Sequence, residues 1–207
     1  FNGSHFNLVT PRGEIKAHLP VAGRHNIYNA LAAAAVADFY ETPLEQIAAA
    51  ISEVSSAKMR GEVLRFPQGV TVVDDSYNSN PRALVEMVTT VCADHECRRR
   101  IVVAGEMREL GASGARLHRE AGRSIARLGV DRLIGVRGLA EEIVAGAREA
   151  GMSDAAAVFC ETPDEAFEAL AREARPGDLI LVKGSRGVKT ETVVQRMKQK
   201  WGPGAGG

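Results

Sequence analysis

The chain carries no surplus of either charge: lysine plus arginine and aspartate plus glutamate number 26 each among 207 residues. A balanced chain offers no broad cationic surface, which argues against nucleic-acid or polybasic membrane binding. The one basic run, Arg98-Arg-Arg100, reads as the solvated lead-in to a strand. No apolar run approaches the roughly 20 residues that span a bilayer, and residues 30–37 are too short and too rich in alanine. No membrane span is therefore expected. The first residues, Phe1-Asn-Gly-Ser-His5, lack the basic and then apolar stretches of a secretory signal. Cysteine is scarce and odd in number. Cys92, Cys97 and Cys160 lack zinc-like pairing with histidine and read as reduced cytosolic thiols, Cys160 at a buried strand end. No metal site is expected.

What is present is an ordinary globular composition, 45% apolar and 25% charged, enough for a sizeable core and more than one packed unit. Segments 6–10 and 15–21 flank Pro11-Arg-Gly13 and suggest a hairpin. A helix follows over 26–39. Thr42-Pro-Leu-Glu45 reads as a cap, a proline at the first helical position and an acidic third position, opening a helix to 52. Ser55-Ser-Ala-Lys58 is the expected linker. Beyond it, strands are expected at 62–66, 70–74, 100–104, 132–136, 156–160 and 178–182. Helices are expected at 81–92, 114–128, 138–150, 163–174 and 189–200. That alternation predicts right-handed crossovers and an α/β, Rossmann-like, mostly parallel sheet flanked by helices. Near-continuous apolar strands such as Ile101-Val-Val-Ala104 fit a sheet covered on both faces. The glycine-rich tail, 202–207, is expected to be disordered.

The densest chemistry is Asp74-Asp-Ser-Tyr-Asn-Ser-Asn-Pro81. An apolar strand here delivers two carboxylates, a phenol and two carboxamides to a strand-to-helix crossing, where open α/β sheets bind ligands. A capping role for Asn80 or Ser79 accounts for only one of these polar residues. Upstream, Gly23-Arg-His-Asn-Ile-Tyr-Asn-Ala30 opens an alanine-rich helix. Asn26 and Asn29 are three apart and share one side of its first turn. A carboxamide is donor and acceptor together, which suits the edge of a purine ring. His25 reads more simply as a packing histidine. Arg60, in Lys58-Met-Arg-Gly-Glu62, suits a base or a phosphate, although an isolated arginine is more often an ordinary solvated surface residue. Gly105-Glu-Met107 and Lys183-Gly-Ser-Arg186 both begin where a strand stops. Lys183 and Arg186 are cations suited to a carboxylate. His118 reads at least as well as a core or capping residue as it does as a contact.

In this order the segments resemble the Mur ligase family, and within it the branch that adds D-alanyl-D-alanine. The family's Gly-x-His-Asn-x-x-Asn-Ala is matched at 23–30 and that branch's Asp-x-Tyr-Asn-x-Asn-Pro at 75–81. Gly105-Glu-Met-Arg-Glu-Leu-Gly111 is similar to its Gly-Asp-Met-x-Glu-Leu-Gly, with glutamate at 106, and Val182-Lys-Gly-Ser-Arg186 to its strand end. The family's phosphate loop, Gly-x-x-Gly-Lys-[Ser/Thr], is absent; Gly184-Ser-Arg-Gly187 and Gly187-Val-Lys-Thr190 lack its spacing. The family's magnesium-binding glutamate and modified lysine would lie upstream of Phe1.

The resemblance therefore implies the carboxyl-terminal part of a longer ligase. Residues 1–58 would be the tail of the central ATP-binding domain and 59–201 the carboxyl-terminal domain. The full enzyme would use ATP with magnesium to activate the terminal carboxylate of UDP-N-acetylmuramoyl tripeptide as an acyl phosphate. The amine of D-alanyl-D-alanine would then attack it, in the bacterial cytoplasm, in a monomer. By the same resemblance, His25, Asn26, Asn29, Arg60 and Asp75 would serve the nucleotide, with Asp74 the alternative to Asp75. Tyr77, Asn78, Asn80, Glu106, Lys183, Ser185 and Arg186 would face the dipeptide or the cleft. The 207 residues alone are expected to be inactive and to hold no cofactor tightly. A dinucleotide-binding oxidoreductase would need a Gly-x-Gly-x-x-Gly turn, which is absent; a non-catalytic module that kept the fold is the remaining alternative.

Overall fold

The computed structural model describes residues 3–21, 23–55 and 58–202. The chain divides into two compact units, Phe1–Ala57 and Lys58–Gly207. Of the expected linker, residues 56 and 57 lie outside the described residues, as does the tail beyond Gly202.

In the first unit, β1 (Ser4–Thr10) and β2 (Gly13–Leu19) pair antiparallel, with Thr10 opposite Gly13. Helices α1 (Arg24–Phe39) and α2 (Leu44–Ser52) follow. Leu8, Ala17, Leu19, Ala34, Ile47 and Ile51 form the core. Arg12 anchors the hairpin turn to this layer, donating from Nε to Asp38 at 2.8 Å and from Nη2 to the Thr42 carbonyl at 2.8 Å. The expected Thr42 cap does not form: Pro43 is the cap residue, with no side-chain cap bond, so α2 starts one residue later. Helix α1 is apolar nearly all round, and Tyr28, Val36, Phe39 and Tyr40 are exposed on it and at its end.

The second unit is a six-stranded sheet with helices on both faces. Its strands are β3 (Glu62–Arg65), β4 (Thr71–Asp75), β5 (Arg99–Gly105), β6 (Arg132–Val136), β7 (Ala157–Cys160) and β8 (Asp178–Lys183). Their order is β3-β4-β8-β5-β6-β7, with only β3 antiparallel to its neighbour. The helices are α3 (Pro81–Cys92), α4 (Gly114–Arg127), α5 (Ala140–Glu149), α6 (Pro163–Glu173) and α7 (Glu191–Trp201). Side chains alternate across a strand. Val72, Ile101, Val103, Ile180 and Val182 pack with Phe167, Val193, Met197 and Trp201 of α6 and α7. The intervening Val73, Val102 and Leu181 are equally buried, towards the opposite face. That is why these strands read as unbroken apolar runs.

Two helices begin later than their periodicity suggests. Arg137 and Gly138 adopt positive φ of 68° and 52°, which turns the chain before α5. Lys189 does the same at 62°, after a short 3-10 turn over 186–188, so α7 opens at Glu191.

Strand β8 lies between β4 and β5 and brings the carboxyl ends of all three to one rim. Asp75 is in register with Lys183 on one side, and Lys183 with Ala104 on the other.

Candidate functional site

Pro81 starts α3, and the Asn80 side-chain oxygen caps it by accepting from the Ala83 N–H at 2.9 Å. Asn80, expected to face the cleft, is thus bound into the helix start. Proline lacks a donor and asparagine supplies an acceptor, so this boundary follows from two adjacent residues.

The two aspartates separate because successive strand residues point oppositely. Asp74 turns inward, only 3% exposed, and accepts from both the hydroxyl and the N–H of Ser76. Burial pushes its carboxyl above the ordinary range, with the Ser76 bonds opposing the rise. Asp74 therefore belongs to the core. Asp75 meets Lys183, whose Nζ lies 2.6 Å from its Oδ2. Lys183 is 4% exposed and also donates to the Asn78 carbonyl at 2.9 Å. The cation expected to await a ligand carboxylate already has one from its own chain.

Ser185 is buried as well. Its Oγ accepts from the Arg108 N–H at 2.9 Å and donates to the Ser79 carbonyl at 3.4 Å. Its N–H donates to the Glu106 carbonyl at 3.2 Å. Residues 183–185 thereby tie the 75–80 loop to the 105–108 loop. A Cβ on Gly105 or Gly184 would fall 2.7 Å from the Thr190 methyl, so this approach requires glycine at both. His118, 0% exposed, holds the second loop: Nε2 accepts from the Met107 N–H at 2.8 Å and Nδ1 meets the Gly114 carbonyl at 2.7 Å. That pattern puts the proton on Nδ1. His118 is a packing residue.

Glu106, expected to face a ligand, reaches the turn before α5. Its Oε1 accepts from the Leu139 N–H at 3.1 Å, and Oε2 lies 3.8 Å from Arg108 Nε. A Cβ on Gly138 would lie 2.4 Å from Glu106 Oε1, so this contact needs a glycine opposite.

The outward face of the rim is cationic and aromatic. Tyr77, 39% exposed, has the Arg60 guanidinium carbon 4.1 Å and that of Arg186 5.3 Å from its ring centre. The Tyr77 N–H bonds the Met59 carbonyl at 3.0 Å, which draws the 58–60 segment to the loop. Arg60 and Arg186, read from sequence as serving different ligands, share one ring. Neither makes an ion pair with another described residue. Asn78 is exposed beside them, its Oδ1 accepting from the Ser79 N–H at 2.8 Å. Arg108 is a rim cation that sequence reasoning passed over, because nothing in its local pattern marks it.

In the first unit, Asn26 and Asn29 lie side by side in the first turn of α1, with Asn29 Nδ2 3.5 Å from Asn26 Oδ1. The His25 side chain lies outside the described residues. A cavity of about 380 Å³ opens on the hairpin, beside the stacked rings of His5 and His18. All its lining residues belong to that hairpin. Cys92, Cys97 and Cys160 are free, and burial pushes each thiol up, away from nucleophilic reactivity. Among the described residues no helix is long and apolar enough to cross a membrane.

A family profile described as "Mur ligase, glutamate ligase domain" matches residues 59–186, and the Mur ligase middle domain matches residues 1–37. The chain is 30% identical over 194 residues to the UDP-N-acetylmuramoyl-tripeptide--D-alanyl-D-alanine ligase of Bacillus subtilis, covering 93% of this chain and 42% of that protein. Identity to the Mycobacterium tuberculosis protein of the same name is 37% over 203 residues, covering 86% and 40%. A crystal structure of MurF from Acinetobacter baumannii superposes with a TM-score of 0.85 at 29% identity, covering 96% of this chain and 43% of that one. MurF from Thermotoga maritima, solved with ADP, shares the fold at a TM-score of 0.80 and 20% identity, covering 96% and 44%. The chain spans about two fifths of the length of the curated relatives it matches.

Proposed function

We propose, since this chain belongs to the Mur ligase family, that it forms part of an ATP-dependent ligase joining D-alanyl-D-alanine to UDP-N-acetylmuramoyl tripeptide for peptidoglycan synthesis. The observation that carries this reading is the rim where β4, β8 and β5 end. It combines a paired aspartate, an exposed tyrosine and two uncommitted arginines, in a chain whose curated relatives bear that ligase's name.

In this reading residues 1–58 belong to the central ATP-binding domain and 59–201 form the carboxyl-terminal domain, in a cytoplasmic monomer. Asn26 and Asn29 read the adenine edge, and Asp75 accepts from ribose hydroxyls. Arg60 neutralises the nucleotide. Arg186 holds the dipeptide carboxylate, which needs a charged donor to offset its desolvation. Tyr77 supports both guanidinium groups. The phosphate loop and magnesium ligands come from the ligase beyond these 207 residues. Magnesium bound with ATP would neutralise the phosphates. A tripeptide carboxylate oxygen attacks the γ-phosphorus and ADP leaves. The dipeptide amine then attacks the acyl carbon, losing a proton as phosphate departs with that oxygen.

A ligase carrying this segment, given ATP, magnesium and the tripeptide, should form ADP in step with amide product when D-alanyl-D-alanine is supplied. It should form little with single amino acids. Equal or greater turnover with a single amino acid would assign the chain to another branch.

A further inference from the structure

The geometry points to Lys183 as a positioning residue of the nucleotide side, acting through Asp75, and not as a binder of the dipeptide carboxylate; the inference rests on the nucleotide reading of Asp75 above. Three observations carry it. Lys183 Nζ is 2.6 Å from Asp75 Oδ2, and the two side chains are only 5% and 14% exposed, so a ligand carboxylate would have to displace a desolvated internal partner. The same ammonium donates to the Asn78 carbonyl at 2.9 Å, which uses a second of its three donors to fix the loop after Asp75. The backbone registers Asp75 directly beside Lys183 across β4 and β8, so the contact is built into the sheet.

A buried cation held this way has little capacity left for a ligand. Its effect is to fix one carboxylate rotamer, leaving Asp75 Oδ1 for a hydroxyl donor. Next to it, Ser185 anchors the Ser79 carbonyl while Arg186 is exposed over Tyr77. Within one turn, Lys183 and Ser185 thus hold the loop while Arg186 faces outward.

The test is a double-mutant cycle in a complete ligase carrying this segment, using Lys183→Met, Asp75→Asn and the pair together. Each single variant should raise the Michaelis constant for ATP about tenfold or more, the usual cost of a lost charge-assisted bond. The dipeptide constant should move less than about twofold. The double variant should be no worse than the poorer single one, because both act through one interaction. Lys183→Arg should recover part of the loss if charge on Asp75 is what matters. The neutral double variant leaves no unpaired buried charge, so the comparison survives if Lys183→Met alone folds poorly. Independent, multiplicative effects would overturn the inference, as would a Lys183→Met defect confined to the dipeptide. If Asp75→Asn leaves the ATP constant unchanged, the nucleotide reading of Asp75 fails and the inference with it. If Asp75→Asn acts and Lys183→Met does not, that reading stands and only the inference is wrong.

Discussion

Burial raises the Asp74 carboxyl and nearby Glu62 adds to the rise, while the two bonds from Ser76 pull it back. The folded chain therefore binds this proton more tightly than the unfolded chain. The stability it lends is full below the ordinary aspartate value of 3.8 and is lost as pH rises through the raised value. Asn at 74 keeps an oxygen for both Ser76 bonds and removes the charge. Asp74→Asn should thus unfold at a higher urea concentration than the parent at pH 7, with the gain shrinking towards pH 4. A less stable variant at pH 7, or a gain independent of pH, would contradict this. Arg186 differs because its guanidinium is exposed and without an ion pair among the described residues. Arg186→Ala should raise the Michaelis constant for D-alanyl-D-alanine about tenfold, the size of one charge-assisted bond, and that for ATP by less. A rise for ATP alone would move Arg186 to the nucleotide side.

Helices α4 and α5 meet through glycine. A Cβ on Gly122 would lie 1.9 Å from the Ile143 carbonyl oxygen, and one on Gly146 2.0 Å from that of Arg119. Arg119 and Arg123 pair with Glu142 and Glu149 along the same seam, but Arg119, Arg123 and Glu149 are well solvated and Glu142 is only half-buried. Such pairs contribute little, so backbone proximity holds the two helices together. Gly122→Ala should cost about 1–3 kcal/mol, as overpacking does, read from urea midpoints. Arg123→Ala should cost much less; the reverse ranking would refute the argument. Apolar runs located β4, β5, β6 and β8 because burial on both faces leaves a continuous signature, whereas the edge strand β3 has no fully buried residue and was marked by the turn at Pro67-Gln-Gly69. The start of α3 was equally legible, since Pro81 and Asn80 carry local chemistry. The late start of α7 was not, because Lys189 adopts positive φ without the glycine or asparagine that signals it; before α5, Gly138 carries that signal, but Arg137 beside it takes positive φ as well. Glu106 was legible as a strand-end carboxylate, but its partner at Leu139 depends on how two loops meet.

Strand order is what the sequence withheld at the scale of the molecule. Asp75 and Lys183 are 108 residues apart and touch because β8 inserts between β4 and β5. Alternation of strands and helices specifies a parallel sheet without specifying that order, so the residues of the rim were identified while their pairing was not. Helix α1 adds a related point: its exposed Tyr28, Val36 and Phe39 suit a helix packed on more than one side, as a part of a larger middle domain would be. The 207 residues contain no phosphate loop, and purified alone they should not convert ATP to ADP; turnover above contaminant level would refute the division of labour proposed here. The most direct test follows the tripeptide's carboxylate oxygen. A ligase carrying this segment is incubated with magnesium, ATP, D-alanyl-D-alanine and UDP-N-acetylmuramoyl tripeptide labelled with oxygen-18 in its terminal carboxylate. Mass spectrometry should find the dipeptide-extended nucleotide and one labelled oxygen in the released phosphate. Unlabelled phosphate, or ADP without the extended product, would contradict the account.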